Sequence, residues 1–461
     1  MSAFEFSVPV LIVGGGACGA VAALAAHEAG AGVLLIEQDV RPMGSSGMSQ
    51  GLICGAGTKA QAALGIADGP DTFYADIMAK TRGQADPVIA RALADRSGPV
   101  LDWLIEAQRM PWQVDQGFRP SYGNSTFRVH GWMGHDGQDM VDLLHARIDE
   151  AGIDRILQAR LTAVIADAEG RVEGVEITRP DGACERIGCD TLILACGGFA
   201  ADRVMVERYI PEMSEARNNG HEGSRGDAIR FGEELGAALG DMGSYQGYAM
   251  LTDPQGITVP PGILVEGGIL INTQGERFVD ETADIAGMVH AVLAQPGDHV
   301  WVLFDEHIES RCGYIPETKA LIALNAMRKA GDVDAMAEQT GVPGVALART
   351  LEEIRLAREA GSIDRFGRRW DQDRPPVPDF RALRVVGALY HTQGGLQIDR
   401  QARVMRADGS ALPNLFAGGG SARSVSGPSS WGYLPAMGLC TAVTLGHIAG
   451  TSAARQALGS S

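Results

Sequence analysis

The 461-residue sequence predicts an α/β fold, doubly wound and split by an inserted α+β domain. Three observations predict it. Near the start, residues 8–13 form a short apolar run that ends in a glycine turn, and an alanine-rich stretch and a second apolar run follow. After Tyr390 the glycine-rich character returns, with residues 415–417 running into Gly418, Gly419 and Gly420. Between these ends, from Gln246 onward, prolines and glycines multiply and helical stretches follow. A chain of this length exceeds what one hydrophobic core usually supports. The expected division is therefore one domain from 1–245 and 391–461, and an insertion over 246–390.

The elements follow in order. Residues 8–13 read as a strand, 20–29 as a helix and 32–36 as a second strand closing on Glu37. Gly14, Gly16 and Gly19 form GxGxxG between the first strand and the helix, the context that lifts this motif above chance. Such glycines serve a tight turn, close approach to a pyrophosphate and close helix–strand packing, while the helix N-terminus offers unpaired N–H groups. Glu37 can accept from both ribose hydroxyls of an adenosine and would repel a 2′-phosphate. The competing account is a glycine turn with no nucleotide; strand, helix and acid together favour a dinucleotide, either NAD or FAD. The small residues of 44–51, with Ser45, Ser46 and Gly51, turn the reading toward flavin, since they can bind a pyrophosphate and a ring edge; a surface loop is the alternative. Later strands are expected at 172–177 and 191–195, the second leading into a sharp turn at 196–199. Helices are expected over 318–330 and 347–360, prolines 375, 376 and 378 close the insertion, and a final helix opens near Pro435, proline being favoured in a first turn.

Apolar content of 45% and charged content of 21% are ordinary for a folded protein. The net charge of −18, without a block of like charge, disfavours nucleic acid and anionic membrane as partners. No apolar stretch is long enough to cross a bilayer, and residues 1–7 lack the features of a signal peptide, so a cytoplasmic location is expected. Seven scattered cysteines suit reduced thiols. Neither CxxC nor CxxCH occurs, which leaves no sequence case for a metal site or attached haem.

Over nearly its whole length the chain resembles the FAD-dependent flavoproteins that include soluble fumarate reductases, urocanate reductases and 3-ketosteroid Δ1-dehydrogenases. The resemblance rests on the GxGxxG turn, Glu37, the 44–51 segment, LACGGF at 194–199, Gly226-Asp227, GERFVDE at 275–281, HTQGG at 391–395 and the 415–420 turn. It implies a dinucleotide-binding domain split by a substrate-capping domain. It further implies FAD contacts at Cys18 through its backbone, Glu37, Ser45, Ser46, Gly51, a strand residue near Leu161, Asp227, and the last helix around Gly438 and Leu439. Asp227 on its own evidence could equally cap a helix. No histidine follows the 44–51 segment where some relatives attach flavin covalently, so the FAD is expected to be unlinked. The family's Ala-Gly-Glu turn is Gly418-Gly419-Gly420 here, and Gly420 replaces the acid that usually holds the flavin's sugar chain.

The resemblance also implies chemistry: a hydride moves between flavin N5 and one substrate carbon while a proton moves at the next. In the fumarate-reducing members an arginine proton donor, a second arginine and two histidines serve a dicarboxylate. Those positions fall here near Ile285, near Tyr433 and at Tyr248, with His391 alone retained. Buried carboxylates need paired cations, so fumarate reduction is not the expectation. Tyr248, Tyr433 and His391 are expected to be catalytic: a phenol can hydrogen-bond a developing enolate, or remove a proton if its pKa is lowered, and a neutral imidazole can donate to a carbonyl. Half-buried aromatics and a satisfied core histidine are the competing accounts, and they are preferred for Tyr245 and Tyr390. Glu266 is weighed as a pocket residue or an exposed carboxylate. Arg423 is weighed as an anchor for a monocarboxylate or a solvated arginine, and Arg277 is expected to be structural.

The leading expectation is α,β-desaturation of a cyclic or apolar ketone, with a separate electron acceptor. The alternatives are an enoate or enone reductase fed by an external donor, since no haem or iron–sulfur motif is present, and a non-catalytic flavin redox sensor.

Overall fold

The computed structural model describes residues 4–117, 119–132, 134 and 136–459. Part of the 1–7 stretch considered above, residues 1–3, lies outside them. The first sheet runs in the order Arg403–Met405, Ala411–Ala417, Cys184–Leu194, Phe6–Val13, Val33–Ile36, Asp154–Ile156. Its centre is parallel, with Val10 opposite Val33 on one side and Thr191 on the other. Strands buried on both faces read as unbroken apolar runs, and Val10–Ile12 and Leu192–Leu194 are wholly inaccessible. An antiparallel pair, Arg160–Ala166 and Val172–Thr178, extends the sheet from Cys184–Leu194.

Two helices from opposite ends of the chain cover this sheet together. Ala17–Glu28 and Met437–Ala457 cross so closely that a Cβ on Gly446 would lie 2.4 Å from the Cys18 carbonyl oxygen, and one on Gly450 would lie 2.2 Å from that of Ala22. Small residues on both faces are the condition for that approach. The contact carries the C-terminal segment to the N-terminal glycine turn.

The second sheet is organised on one 13-residue strand, Phe380–Thr392. Val300–Asp305, Arg328–Ala330 and Tyr245–Thr252 pair with it antiparallel and Arg217–Asn218 parallel, while Ile269–Ile271 pairs with Val300–Asp305. This strand runs from the core of the second layer to the cavity described below and delivers Tyr390 and His391 there. The GERFVDE segment supports the same layer. Arg277 bonds both oxygens of the fully buried Glu281 at 2.9 and 2.7 Å and reaches Asp364 at 2.6 Å, while Arg368 bonds Glu281 at 2.9 Å. A pairing of buried charges this complete is a structural clamp.

Two local expectations are corrected. The helix expected over 318–330 ends at Ala323: Asn325 takes a left-handed φ of 49°, and Arg328–Ala330 turns into an edge strand on Phe380–Ala382. Asparagine tolerates that backbone, and strand pairing outweighs the helical pattern. The last helix starts at Met437, because Ala436 has φ 62° and leaves Pro435 outside the first turn. All seven cysteines are free, and no described helix is long and apolar enough to cross a membrane.

Candidate functional site

One large cavity runs between the two layers and is lined by residues from the first glycine turn to the last helix. At one end Gly14, with φ +107°, lies so close to the next strand that a Cβ there would sit 2.4 Å from the Ala195 carbonyl oxygen. A Cβ on Gly19 would sit 1.8 Å from the carbonyl of Gly14, so only glycine lets this helix follow this strand. Gly16 stands at the N-cap with no side-chain cap, and the Ala17 N–H donates to Ser46 Oγ at 3.1 Å. Glu37 is 7% exposed. The Gly15 N–H donates to its Oε2, and the Asp39 N–H donates to its Oε1 at 2.9 Å. Burial pushes this carboxyl above its usual range, and the two N–H groups draw it back. They also fix it at the strand end, with remaining lone pairs free for hydroxyls.

The other end is aromatic. The Tyr248 hydroxyl donates to the Val259 carbonyl at 2.6 Å, and its ring stacks on Tyr390 with centroids 5.0 Å apart. Tyr433 packs edge-on against His391 at 5.7 Å, and the Gly438 N–H reaches its hydroxyl at only 3.4 Å. Gln393 Nε2 donates to His391 Nε2, leaving the ring proton on Nδ1. A Cβ on Gly438 would come within 2.9 Å of that imidazole, so glycine there lets the ring lie against the helix. The N-cap residue of Met437–Ala457, Ala436, brings no capping side chain, and Gly438 and Leu439 line the cavity beside it.

Burial pushes His391 down to about 4, so its imidazole is neutral at pH 7. Burial likewise pushes the hydroxyls of Tyr248, Tyr390 and Tyr433 above their usual range. The condition for a phenol to remove a proton, a lowered pKa, is not met here: desolvation holds these hydroxyls in the neutral form.

Cys18, Ser45, Leu161, Asp227 and Gly420 also line the cavity. Asp227 opens the helix Asp227–Glu234 and pairs with Arg230, while Gly226 holds the N-cap. Gly51 and Gly19 stand just behind the lining; Gly51, at φ +70°, packs against the carbonyl of Asp136, and its neighbours Gln50 and Leu52 face the cavity. Glu266 and Arg423 lie outside the lining. Glu266 pairs with Arg311 at 3.0 Å, and Arg423 is held by Asp241 and Asp86 at 2.7 and 2.9 Å, so substrate-binding roles for both are corrected to structural pairs. Tyr245 is likewise away from the lining, bonded to His290 and Glu212.

Sequence reasoning missed Arg128, Tyr122 and Glu317. Arg128 lines the cavity fully paired, with Asp68 at 2.9 Å and with Asp76, over the ring of Phe73. Tyr122 donates to the Glu281 carbonyl at 3.2 Å. Both stand in irregular chain where no periodic signal marks them.

The family model described as FAD binding domain matches residues 9–432. A probable fumarate reductase, Ifc3, from Shewanella frigidimarina (strain NCIMB 400), is 28% identical over 97% of this chain and 75% of its own length. The open conformation of a flavocytochrome c3 fumarate reductase superposes with a TM-score of 0.82 at 27% identity, over 99% of this chain and 80% of that one. The 3-ketosteroid Δ1-dehydrogenase from Sterolibacterium denitrificans, at 20% identity, shares the fold with a TM-score of 0.78, over 98% of this chain and 100% of that one.

Proposed function

This chain belongs to the FAD binding domain family, and from that premise we propose that it desaturates a cyclic or otherwise apolar ketone between its α and β carbons. It is an FAD-dependent oxidoreductase acting on CH–CH bonds. The residues present fit that cofactor. The N-termini of Ala17–Glu28 and Met437–Ala457, whose N-cap residues Gly16 and Ala436 bring no capping side chain, face one cavity, Glu37 presents a fixed carboxylate, and the glycine turn leaves the space that a side chain would fill. Cys18, Ser45, Ser46, Leu161, Asp227 and Gly420 complete the proposed contacts, with no covalent link.

Bound FAD supplies a hydride acceptor at N5. The single observation that carries the ketone reading is the lining opposite: neutral phenols and the apolar Ile285 stand where the resemblance places cations in fumarate-reducing members. Arg128, the buried guanidinium of the lining, already has two carboxylate partners. Of the two proposed catalytic phenols, Tyr248 has its proton engaged by Val259, whereas Tyr433 only accepts weakly and keeps its proton to donate. Tyr433 is therefore proposed to hold the ketone oxygen as negative charge develops, with Tyr248 and Tyr390 packing the ring and neutral His391 donating through Nδ1. The positive end of the last helix, which lines the cavity, would stabilise negative charge on a flavin ring bound beside it by up to ~2 kcal/mol.

The test is anaerobic incubation with a panel of cyclic ketones while flavin absorbance is followed. Bleaching supports the proposal; an oxidised spectrum throughout, with rapid reoxidation of the reduced enzyme by enoates, overturns it. Similarity to fumarate reductases favours that reverse reaction as the second reading. A passive sensor leaves the lined cavity without a role. We place the enzyme in the cytoplasm on the strength of its seven free cysteines, and we propose a separate electron partner because the sequence carries no haem or iron–sulfur motif.

A further inference from the structure

Glu317 is a cavity carboxyl that the hydride chemistry above leaves unused. It stands in the first turn of Pro316–Ala323, a helix of the second layer, and its side chain lines the cavity. Gln50, from the serine- and glycine-rich segment after Glu37, donates to its Oε1 at 2.9 Å, so the carboxyl bridges the nucleotide and capping sides.

Four carboxyls line the cavity among the described residues. Glu37 is held by two backbone N–H groups at the ribose end, Asp227 by Arg230, and Asp115 by the Gly117 N–H. Among the described residues Glu317 pairs with no cation, and its charge reaches both Tyr248 and Tyr390. Desaturation and its reverse both require a group that exchanges a proton with the substrate carbon. The phenols are pushed up and His391 is pushed down to about 4, so these groups hold one protonation state at neutral pH. Burial, with Asp136 adding to it, moves Glu317 the other way from most carboxylates, upward, against the pull of Gln50.

We propose that Glu317 exchanges the proton at the substrate carbon next to the one that exchanges the hydride, a role that rests on the ketone reading. In the desaturating direction the α C–H bond breaks and its proton goes to the Glu317 carboxylate. Its electron pair forms the C=C bond as the β-hydride leaves with its own pair to the oxidised flavin. In the reducing direction the Glu317 carboxylic acid returns that proton to the α-carbon as hydride arrives at the β-carbon.

Among the described residues the groups facing Glu317 are Gln50, Asp136 at the N-cap of Gly137–Glu150, and the phenols of Tyr248 and Tyr390. Only a carboxylate can accept the proton, so the rate of ketone oxidation should rise with pH through the titration of Glu317.

The test compares FAD-loaded wild type, Glu317→Gln and Glu317→Asp, first matched for flavin content. Cyclohexanone is used to bleach the flavin, and cyclohex-2-enone to reoxidise it. Glu317→Gln should slow both by on the order of 10²-fold or more and flatten the pH limb, while Glu317→Asp retains part of each. Infrared difference spectra of wild type against Glu317→Gln should show a protonated-carboxyl band that fades along the same pH course. Equal rates with an unchanged pH limb, or a carboxylate at every pH, overturn the assignment of Glu317 alone. If neither these compounds nor any other ketone of the panel reacts with wild type, the ketone reading falls and this role falls with it.

Discussion

The two ends of the cavity are built on different principles. At the nucleotide end recognition is carried by backbone: a turn at Gly14, an uncapped helix start at Gly16, and a Glu37 carboxylate held by the N–H groups of Gly15 and Asp39. All of these lie within 26 residues of one another. At the substrate end the chemistry is carried by side chains from positions 248, 317, 391 and 433, which only the fold brings together. A backbone site needs local geometry and leaves a local motif. A side-chain site needs tertiary assembly and leaves scattered residues.

The comparison breaks most visibly at Gly19. A Cβ there collides with the carbonyl of Gly14 at 1.8 Å, between backbone atoms that have no rotamer to yield. Gly19→Val should therefore give colourless or insoluble protein, whereas substitutions at the substrate end should leave the flavin in place. Retention of FAD by soluble Gly19→Val would show that the turn is not the site of nucleotide binding. The converse substitution is Tyr433→Phe. Flavin content should match wild type, and kcat/KM for a ketone substrate should fall by roughly 10²–10³-fold, the usual cost of losing one donor to a developing oxyanion. An unchanged kcat/KM would remove Tyr433 from the chemistry.

Glu37→Gln tests whether the nucleotide end depends on charge as well as shape. The amide keeps the size of the side chain but loses charge-assisted bonds to the ribose, each worth about 1.5–3 kcal/mol. FAD affinity measured by titration of deflavinated protein should weaken by about ten- to a hundredfold, with turnover at saturating FAD unchanged. A larger loss, or aggregation, would mean that the bonds from Gly15 and Asp39 hold the turn itself.

The same contrast explains what could be read in advance. Gly14, Gly16, Gly19 and Glu37 were legible because strand, turn, helix and acid are consecutive. The GERFVDE segment was equally legible, but its arginine serves a buried clamp with Glu281 and Asp364, away from the cavity. A motif marks a demanding local structure, which need not be where the chemistry happens. Glu317 was not legible, since Glu-Thr-Lys in a short helix has the pattern of a solvated face, and only Gln50, 267 residues earlier, shows that it points inward. Arg423 failed for the opposite reason: it follows a glycine-rich turn near the flavin's expected place, and two aspartates from distant segments claim it.

His391 supplies the smallest effect and a direct measure of how dry the substrate end is. Its folded pKa is lowered by burial to about 4, while an unfolded histidine titrates near 6.5. Between those values the unfolded chain binds more protons than the native one, so stability rises with pH across that window and is lost as pH falls through it. At pH 5.5 the histidine's share of that loss is about 1.4 kcal/mol. His130 and His447 are lowered to about 4 by the same cause and add to the slope, so the informative quantity is the difference between proteins. Urea unfolding of wild type and His391→Gln at pH 7 and pH 5.5 should show the wild type losing about 1.2 kcal/mol more than the variant over that interval, since the unfolded histidine is already partly protonated at pH 7. Parallel losses would mean that the imidazole stays hydrated in the folded protein, which would remove the reason for treating it as a neutral donor at the substrate carbonyl.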